Sequence, residues 1–266
     1  MLAPETFTVR WLKAVRERHQ QAKVLFWWPL WTLVGLLAIA VLLDAPVLDA
    51  LQNWPDHERA FFDFVTDFGK SDWLLFPTLV GVVGGAIAMR VRLSYSWAWA
   101  VRGIFSLSAY LFSTIAFSGI AVQIIKRLIG RARPMYLEEL GVLHLEPFSM
   151  HWSFHSFPSG HATTAIAFAL ALHTLVNRRF HGWVIAFGFA IGLSRIVVGD
   201  HYLSDVLAGS FVGLASAILV RDYFVTRRWG MRMENGKINY RMFKAFKPLM
   251  RRFRILKGLR KPDSAK

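Results

Sequence analysis

The sequence predicts an all-α, polytopic membrane protein with six transmembrane helices and with both termini in the cytoplasm. First, 55% of the 266 residues are hydrophobic and 15% are aromatic, more apolar material than a soluble domain of this size usually carries. Second, the apolar residues form separated blocks that approach the roughly 20 residues needed to cross a hydrocarbon core about 30 Å thick. Third, lysine and arginine are concentrated on one side of these blocks. The six predicted spans are residues 25–43, 73–89, 103–125, 161–176, 183–198 and 203–220.

The chain before the first span, residues 1–24, is predicted to be a basic cytoplasmic segment. A secretory signal peptide is the alternative for the first apolar block. However, its charged leader is long, and Asp44-Ala45-Pro46 offers no small-residue cleavage site. The block is therefore interpreted as a retained span. After it, residues 58–68 place phenylalanines among acids, which fits a short interfacial helix or a loop with aromatic anchors.

The remaining connections and the tail are predicted from their composition. In the second span, Gly81 and Gly85 form a small-xxx-small pair, which predicts a close helix contact. The longest outer loop, residues 127–158, contains three prolines and is expected to hold little regular structure. Residues 25–222 then form one six-helix membrane domain, and residues 223–266 form a basic cytoplasmic tail. Its charge favours attraction to anionic inner-leaflet lipids; a solvated tail is the alternative, and nucleic-acid binding is not expected.

The chain carries a formal net charge of +15, and the distribution of this charge indicates its orientation. The predicted cytoplasmic segments hold 25 of the 32 lysines and arginines but only 5 of the 17 acids. The first outer loop shows the reverse, with seven acids against Arg59 and Lys70. This positive-inside pattern places both termini in the cytoplasm. There is no cysteine, so disulfides, thiol chemistry and a cysteine metal site are excluded.

Three clusters of polar residues lie at the predicted outer ends of the spans, where ionisable groups often mark function. They are Lys126 to Pro134 after the third span, Pro158 to His161 before the fourth, and Ser194 to Asp205 between the fifth and sixth. Their common face follows from the orientation, which was derived only from lysine and arginine counts. A packed bundle could therefore bring all three clusters into one pocket.

The residue types in these clusters suit a phosphate group. Lys126, Arg133 and Arg195 supply three cations, and the two guanidiniums can grip phosphate oxygens bidentately. Ser159 precedes a helix whose free N–H groups attract an anion, and Gly160 lets that anion approach the backbone. The Ser159 hydroxyl can cap this helix or donate to the anion. As alternatives, the cations can simply snorkel to the interface, and the small residues can be a plain helix start.

Two histidines and a carboxylate supply the candidate chemistry. Asp205 follows His201 by four residues and would share its helix face, so the carboxylate can hold one imidazole nitrogen and leave the other as a nucleophile. His161 remains as a general acid and later as the base that activates water. These side chains could instead cap, pack or form an exposed pair. A metal site built from all three is disfavoured by the neighbouring arginines, so neither a metal nor a cofactor is expected.

These residues carry a strong resemblance to the type 2 phosphatidic acid phosphatase (PAP2) superfamily. Its three-part signature, K-x6-RP, PSGH and SR-x5-H-x3-D, matches the three clusters without a departure, and the resemblance covers residues 25–222. The resemblance implies an all-α core and a metal-independent phosphohistidine mechanism. The roles that it implies are His201 as nucleophile, Asp205 as its partner, His161 as proton donor, and Lys126, Arg133, Ser159, Gly160 and Arg195 as phosphate ligands.

The hydrophobic spans point to the membrane branch of this family, so the resemblance implies a bacterial inner-membrane enzyme with its active site facing the periplasm. The substrate would be a phosphorylated membrane lipid. The candidates are lipid A 1-phosphate, phosphatidylglycerol phosphate, phosphatidic acid and undecaprenyl pyrophosphate. Two alternatives stay open: a lipid-to-lipid phosphotransferase that uses the same phosphohistidine, and a catalytically silent lipid-binding or transport protein. The sequence does not indicate the oligomeric state.

Overall fold

The computed structural model describes residues 31–176, 178–234 and 237–258, and most of these residues are helical. The α-helices are α1 Trp31–Leu42, α2 Asp44–Gln52, α3 Asp56–Asp67, α4 Asp72–Ala88, α5 Tyr95–Ile129, α6 Leu137–Leu140, α7 Gly160–Leu175, α8 His181–Val197, α9 Leu203–Thr226, α10 Arg241–Lys244 and α11 Lys247–Gly258. Short 3-10 helices at Pro134–Tyr136, Trp152–Phe154 and Arg178–Phe180 lie in the connections. Two strands, β1 Met231–Glu234 and β2 Lys237–Tyr240, follow α9. The predicted basic segment 1–24 and residues 25–30 of the first span lie outside the described residues.

Each predicted apolar block coincides with a helix, in the order α1, α4, α5, α7, α8 and α9. Within the described residues, three helical stretches are long and apolar enough to cross a membrane: Asp56–Ala88, Tyr95–Ile129 and Leu203–Thr226. α1 and α2 would add a fourth span if joined, with a 54° bend between them. α7 and α8 are shorter, at 16 and 17 residues. The helical fold with membrane-length helices is confirmed, whereas the count of six spans stays a prediction.

α7 packs against α5, α8 and α9, and small side chains make these contacts close. Eight of its 16 residues are buried, and all of them except Ile166 are alanine or threonine. On the facing side, a Cβ at Gly213 of α9 would lie 2.5 Å from the carbonyl oxygen of Thr163, and one at Gly209 would overlap the carbonyl oxygen of Ser159. The start of α9 therefore rests directly on the start of α7.

The predicted contact of Gly81 and Gly85 is confirmed. A Cβ at Gly81 would collide with Ser108 of α5, and one at Gly85 would lie 3.0 Å from Cβ of Phe105. α4 and α5 thus approach each other through the small-residue face that the sequence indicated. Residues 58–68 are helical as well, since they fall almost entirely within α3.

The loop between α5 and α7 is more ordered than predicted. It holds two 3-10 turns, the short helix α6 and an isolated antiparallel bridge between Arg131 and Leu145. Gly130 ends α5 in the left-handed conformation at φ 64°, and a Cβ there would overlap the carbonyl oxygen of Glu146. Its own carbonyl oxygen accepts a 2.7 Å hydrogen bond from the Glu146 N–H. The glycine lets the chain turn back sharply, which directs Arg131 into the protein.

The chain after α9 corrects the all-α prediction, because β1 and β2 pair as an antiparallel hairpin. Met231 pairs with Tyr240 and Glu234 with Lys237, so two residues separate the strands. Those residues are Asn235 and Gly236, the dipeptide most typical of a tight hairpin turn. The sequence thus carried a signal for this hairpin beside the helical pattern.

The hairpin and α10 pack back onto the bundle. Met231 and Met242 are almost fully buried, and they share one apolar cluster with Tyr110 of α5 and Phe224 of α9. α11 also contacts α5, and Arg252 donates a 3.2 Å hydrogen bond to the Ser94 hydroxyl. Burying two methionine side chains contributes roughly 3–6 kcal/mol before the entropy of ordering the chain is subtracted. The first part of the predicted tail is therefore a packed element of the fold.

Candidate active site

A cavity of about 800 Å³ lies among α4, α5, α7 and α8, at the end of the bundle that carries the three sequence clusters. Six of the eight predicted site residues line it: Lys126, Arg133, Gly160, His161, Arg195 and His201. The other two, Ser159 and Asp205, have no exposed surface and lie behind its wall. Residues that are up to 79 positions apart in the chain, Lys126 and Asp205, thus meet around one cavity.

His201 lies between α8 and α9, and its imidazole faces Asp205 in the first turn of α9. Nδ1 of His201 is 3.6 Å from Oδ2 of Asp205, and both side chains are at most 2% exposed. This distance is longer than a hydrogen bond. Because Nδ1 points to the carboxylate, Nε2 is the ring nitrogen left for a group in the cavity.

Asp205 is held by three donors besides facing the histidine. Oδ1 accepts a 2.6 Å hydrogen bond from Nη1 of Arg131. Oδ2 accepts a 2.5 Å hydrogen bond from the Ser156 hydroxyl and a 3.0 Å hydrogen bond from the Tyr202 N–H. Charge-assisted bonds of this kind fix a carboxylate in place and stabilise its ionised form.

Arg131 connects this carboxylate to a second buried acid, Asp44 in the first turn of α2. Nη2 of Arg131 is 2.8 Å from Oδ2 of Asp44, and the two side chains are 4% and 0% exposed. Asp44 also accepts hydrogen bonds from the Ser204 N–H and hydroxyl, at 2.9 and 2.6 Å. The guanidinium lies 4.3 Å from the ring centre of Tyr202. Burial alone would lower the pKa of Arg131, but the Asp205 and Asp44 carboxylates raise it above its ordinary value.

The same surroundings keep the imidazole of His201 neutral. Burial, helped by the fields of Lys126 and Arg195, lowers the pKa of His201 to about 4 even though the Asp205 carboxylate opposes this shift. A neutral imidazole carries the free electron pair that a nucleophile needs. The surroundings of His201 are therefore compatible with nucleophilic attack by this residue at neutral pH.

The three predicted cations surround the cavity and have few fixed partners. Lys126 is 7% exposed, and its Nζ donates a 2.9 Å hydrogen bond to the His155 carbonyl oxygen. Arg133 lies 4.9 Å from the ring centre of Trp152, and burial lowers its pKa below the ordinary arginine value. Nη1 of Arg195 donates a 2.6 Å hydrogen bond to the Thr66 hydroxyl.

Asp200 joins two of these cations. Its Oδ1 is 3.4 Å from Nη1 of Arg133, and its Oδ2 pairs with Nη2 of Arg195. Asp200 is 37% exposed at the side chain, so it is the accessible partner of this group. A phosphate would present oxygens of the same charge to the same two guanidiniums.

The start of α7 places its residues on the cavity in two different ways. The Ser159 hydroxyl caps the helix by accepting a 3.5 Å hydrogen bond from the Ala162 N–H, so the capping alternative is the one observed. Gly160 lines the cavity, and a Cβ there would lie 3.9 Å from Nζ of Lys126. His161 packs against Gly69, where an added Cβ would lie 2.7 Å from Cδ2 of the imidazole. The role of Ser159 as a phosphate ligand stays a prediction.

The structure adds functional residues that the sequence patterns did not single out. They are Asp44, Thr66, Arg131, Ser156, Asp200 and Ser204, which form hydrogen bonds with the Asp205 carboxylate or with the arginines around it. Arg131 lies inside the first sequence cluster, between Lys126 and Arg133, so its position in the sequence could have identified it as a site residue. Nothing local marks Asp44, because its partner Ser204 lies 160 positions away in the chain.

Comparisons with known proteins agree with this geometry. The family model described as PAP2 superfamily matches residues 107–229, a range that contains all eight predicted site residues. A lipid A 1-phosphatase from Rhizobium johnstonii is 35% identical over 194 residues, which cover 73% of this chain and 78% of the relative. A lipid A 1-phosphatase from Rhizobium etli is 37% identical over 182 residues, which cover 68% and 77%.

One solved structure supports the fold. The transmembrane PAP2-type phosphatidylglycerolphosphate phosphatase from Bacillus subtilis is similar with a TM-score of 0.52 at 19% sequence identity. The similarity covers 74% of this chain and 96% of that chain. At this identity the likeness concerns the arrangement of the helices.

Proposed function

The chain belongs to the PAP2 superfamily, and we propose that it is an integral membrane phosphatase that removes a phosphate group from a membrane lipid. The observation that carries the proposal is the pair of His201 and Asp205 at the wall of a cavity lined by three cations. A nucleophile beside a fixed carboxylate, facing donors for an anion, is the arrangement that phosphoryl transfer needs.

In the proposed first step, Nε2 of His201 forms a bond to phosphorus while the bond from phosphorus to the lipid oxygen breaks. His161 gives a proton to that leaving oxygen. The phosphorylated imidazole is a cation, and Asp205 stabilises its charge from the Nδ1 side. In the second step water attacks phosphorus, His161 takes the proton from the water, and the bond between nitrogen and phosphorus breaks. Inorganic phosphate leaves, and the neutral histidine is restored.

The cations of the cavity would bind the transferred phosphoryl group. The charge of its oxygens is neutralised by Lys126, Arg133 and Arg195. The free backbone N–H groups of Gly160 and His161, at the start of α7, would donate hydrogen bonds to the same oxygens. These donors are held in place before the substrate arrives, so little reorganisation is needed as charge develops.

We propose that the reaction needs no metal ion, because the cations of the protein perform the electrostatic task. The donor set supports this proposal. Both oxygens of Asp205 already accept hydrogen bonds, and a divalent ion between the histidines would lie among three positive side chains. Activity should therefore survive exhaustive treatment with EDTA. Loss of activity that Mg²⁺ or Zn²⁺ restores would contradict the proposal.

The substrate we propose is a lipid A 1-phosphate, since two relatives with over two thirds of their length covered carry that activity in their names. Phosphatidylglycerol phosphate, phosphatidic acid and undecaprenyl pyrophosphate are the competing substrates.

We further propose six spans, cytoplasmic termini, and a cavity that opens to the periplasmic side of a bacterial inner membrane. The positive-inside charge pattern and the coincidence of helices with all six apolar blocks support this topology.

The decisive assay uses the purified protein in detergent with these four lipids, comparing kcat/KM for each. We expect lipid A to lose its 1-phosphate fastest, with one inorganic phosphate released per lipid. Addition of an acceptor lipid should not reduce phosphate release. If the acceptor becomes phosphorylated while little phosphate appears, the protein is a phosphotransferase, and if no lipid is turned over it is a binding or transport protein.

The nucleophile is tested with His201→Asn and the matched control His57→Asn, whose side chain is exposed. We expect His201→Asn to abolish turnover while the protein still folds, and His57→Asn to leave kcat unchanged. Rapid quenching with labelled substrate should trap acid-labile phosphate on the wild-type protein and on His57→Asn, but not on His201→Asn. Unchanged turnover by His201→Asn would disprove the mechanism.

A further inference from the structure

A second, smaller basic cavity lies at the opposite end of the bundle from the candidate active site. Its volume is about 200 Å³, and three arginines from three different segments line it. Arg102 belongs to the start of α5, Arg228 follows the end of α9, and Arg241 begins α10. We call this site the arginine cavity. Along α5, Arg102 lies 24 residues before Lys126 of the active site, which corresponds to about 36 Å of helix.

The charge of the arginine cavity is only partly compensated by acids, since Glu234 acts on Arg241 from beyond ion-pair distance. Within the described residues, none of the three arginines has a carboxylate at ion-pair distance. The acids nearby have other partners: Asp222 pairs with Arg221, and Glu234 accepts a 2.6 Å hydrogen bond from Asn239. Three like charges around one small cavity repel each other, and an anion between them would remove that repulsion.

The backbone around the arginine cavity is tightly packed, so the site has a defined shape. A Cβ at Gly103 would lie 2.8 Å from the Met242 carbonyl oxygen, and one at Gly230 would lie 2.8 Å from Cβ of Ser106. Arg228 adopts a left-handed conformation at φ 58°. This conformation is common directly after the end of a helix, and it fixes the course of the chain from α9 into β1.

The surroundings of the cavity favour a lipid over a soluble anion. Trp99 lines the cavity, and its ring lies 5.7 Å from the Arg102 guanidinium. Tyr95, Trp97 and Trp229 are 71%, 47% and 53% exposed. Exposed tryptophan and tyrosine are typical of the boundary between membrane and water, where lipid headgroups lie. Basic pockets between membrane helices on the cytoplasmic side, where the charge pattern predicts this end of the bundle, commonly bind lipid headgroups.

We propose that the arginine cavity binds the phosphate of an anionic phospholipid in the leaflet opposite the catalytic cavity. The bound headgroup would contact α5, the turn after α9, and α10 at the same time. The lipid would therefore fasten the folded part of the tail to the membrane bundle. This inference concerns another site and another ligand from the proposed phosphatase reaction, so it does not depend on that reaction.

The test measures binding of phosphatidylglycerol to the full-length protein in nonionic detergent by native mass spectrometry. The double variant Arg102→Gln/Arg241→Gln is compared with Arg90→Gln/Arg92→Gln, which removes the same charge from exposed positions of the α4–α5 connection. Both variants keep the catalytic cavity, so binding there contributes equally. We expect about tenfold weaker binding for the cavity variant only, because two charge-assisted contacts to the phosphate are lost.

Further measurements with other ligands distinguish an anionic lipid from a neutral lipid and from a soluble anion. Phosphatidylcholine with the same acyl chains should bind weakly to all variants, and inorganic phosphate should raise the melting temperature less than phosphatidylglycerol does. If Arg102→Gln/Arg241→Gln does not fold, the single variant Arg228→Gln replaces it, with Arg90→Gln as its control. Equal phosphatidylglycerol binding by cavity and control variants would overturn the proposal. If inorganic phosphate stabilises the protein as much as phosphatidylglycerol does, and if this stabilisation is lost in the cavity variant, the cavity binds a soluble anion instead.

Discussion

Asp205 does more in this structure than its four-residue spacing from His201 suggests. The carboxylate accepts hydrogen bonds from the Arg131 guanidinium, the Ser156 hydroxyl and the Tyr202 N–H. The imidazole can therefore turn toward a carboxylate that is already fixed and already charged. The Arg131 guanidinium also forms an ion pair with the buried Asp44, so it links the two carboxylates. The orientation of the proposed nucleophile thus depends on a residue outside the cavity.

A first residue-scale prediction concerns Arg131. We expect Arg131→Gln to lower the free energy of unfolding by about 3–5 kcal/mol, because it leaves two buried carboxylates without their cation. Adding Asp44→Asn should recover part of that loss, since one stranded charge becomes neutral. Thermal unfolding in detergent measures both, with Arg90→Gln as the exposed control. A loss no larger than that of the control would show that the buried network contributes little.

A second residue-scale prediction concerns the charge of His201. Its pKa is lowered to about 4 by burial, so the imidazole stays neutral at every pH well above 4. An ordinary histidine gains its proton near pH 6.5. In a sample labelled with [15N]histidine, the His201 signal, identified by its absence from His201→Asn, should stay that of a neutral ring from pH 7.5 to pH 5. A titration midpoint near pH 6.5 would contradict this expectation.

At the scale of elements, the pairing of α7 with α9 builds the site. The two helices carry Pro158–His161 at the start of one and Asp205 at the start of the other. Glycines on α9 allow its backbone to lie against the first turns of α7, and the Ser159 N–H donates a 2.9 Å hydrogen bond to the Asp205 carbonyl oxygen. The distance between the proposed acid and the proposed nucleophile is thus set by backbone contact.

The element-scale prediction concerns Gly209. An added methyl group at Gly209 would overlap the Ser159 carbonyl oxygen, so Gly209→Ala must push α9 away from the start of α7. We expect kcat/KM to fall by about tenfold or more, because small displacements of catalytic groups have large effects on rate. The matched control is Gly84→Ala in α4, where an added Cβ meets no atom within 4 Å. Equal kcat/KM values for the two variants would show that this contact does not set the site.

At the scale of the whole molecule, α5 and α9 connect two ends that each contain a basic cavity. One end holds the candidate active site, and the other holds the arginine cavity and the packed tail. The positive-inside pattern predicts that the second end faces the cytoplasm. Chemistry and anchoring would then occur at opposite membrane faces, joined by helices that run from one to the other.

The topology can be tested directly because the chain has no cysteine. A single cysteine at Glu139, exposed in α6, should react with an impermeant maleimide added outside spheroplasts. A single cysteine at Leu93, 37% exposed between α4 and α5, should react only after lysis. The reverse labelling pattern would invert the proposed orientation and place the catalytic cavity in the cytoplasm.

Much of this protein could be predicted from local sequence patterns. The apolar blocks gave the positions of six helices, and the three clusters gave the residues that surround the cavity. The hairpin after α9 was also signalled locally, by Asn235-Gly236. Hydrophobic blocks and residue spacings are properties of a continuous stretch of chain, so helix geometry alone carries them from sequence to structure.

The sequence by itself determined the membrane class, the helix positions and the chemical types at the candidate site. Only the tertiary structure decided that Arg131 joins Asp44 to Asp205, that Asp200 lies between two cations, and that the tail packs on the bundle. The Arg131–Asp44 contact spans 87 positions of the chain and the Ser204–Asp44 contact spans 160. Such pairs form because small residues let separate helices approach closely, and their energy depends on shared burial. Neither property is present in any one stretch of sequence.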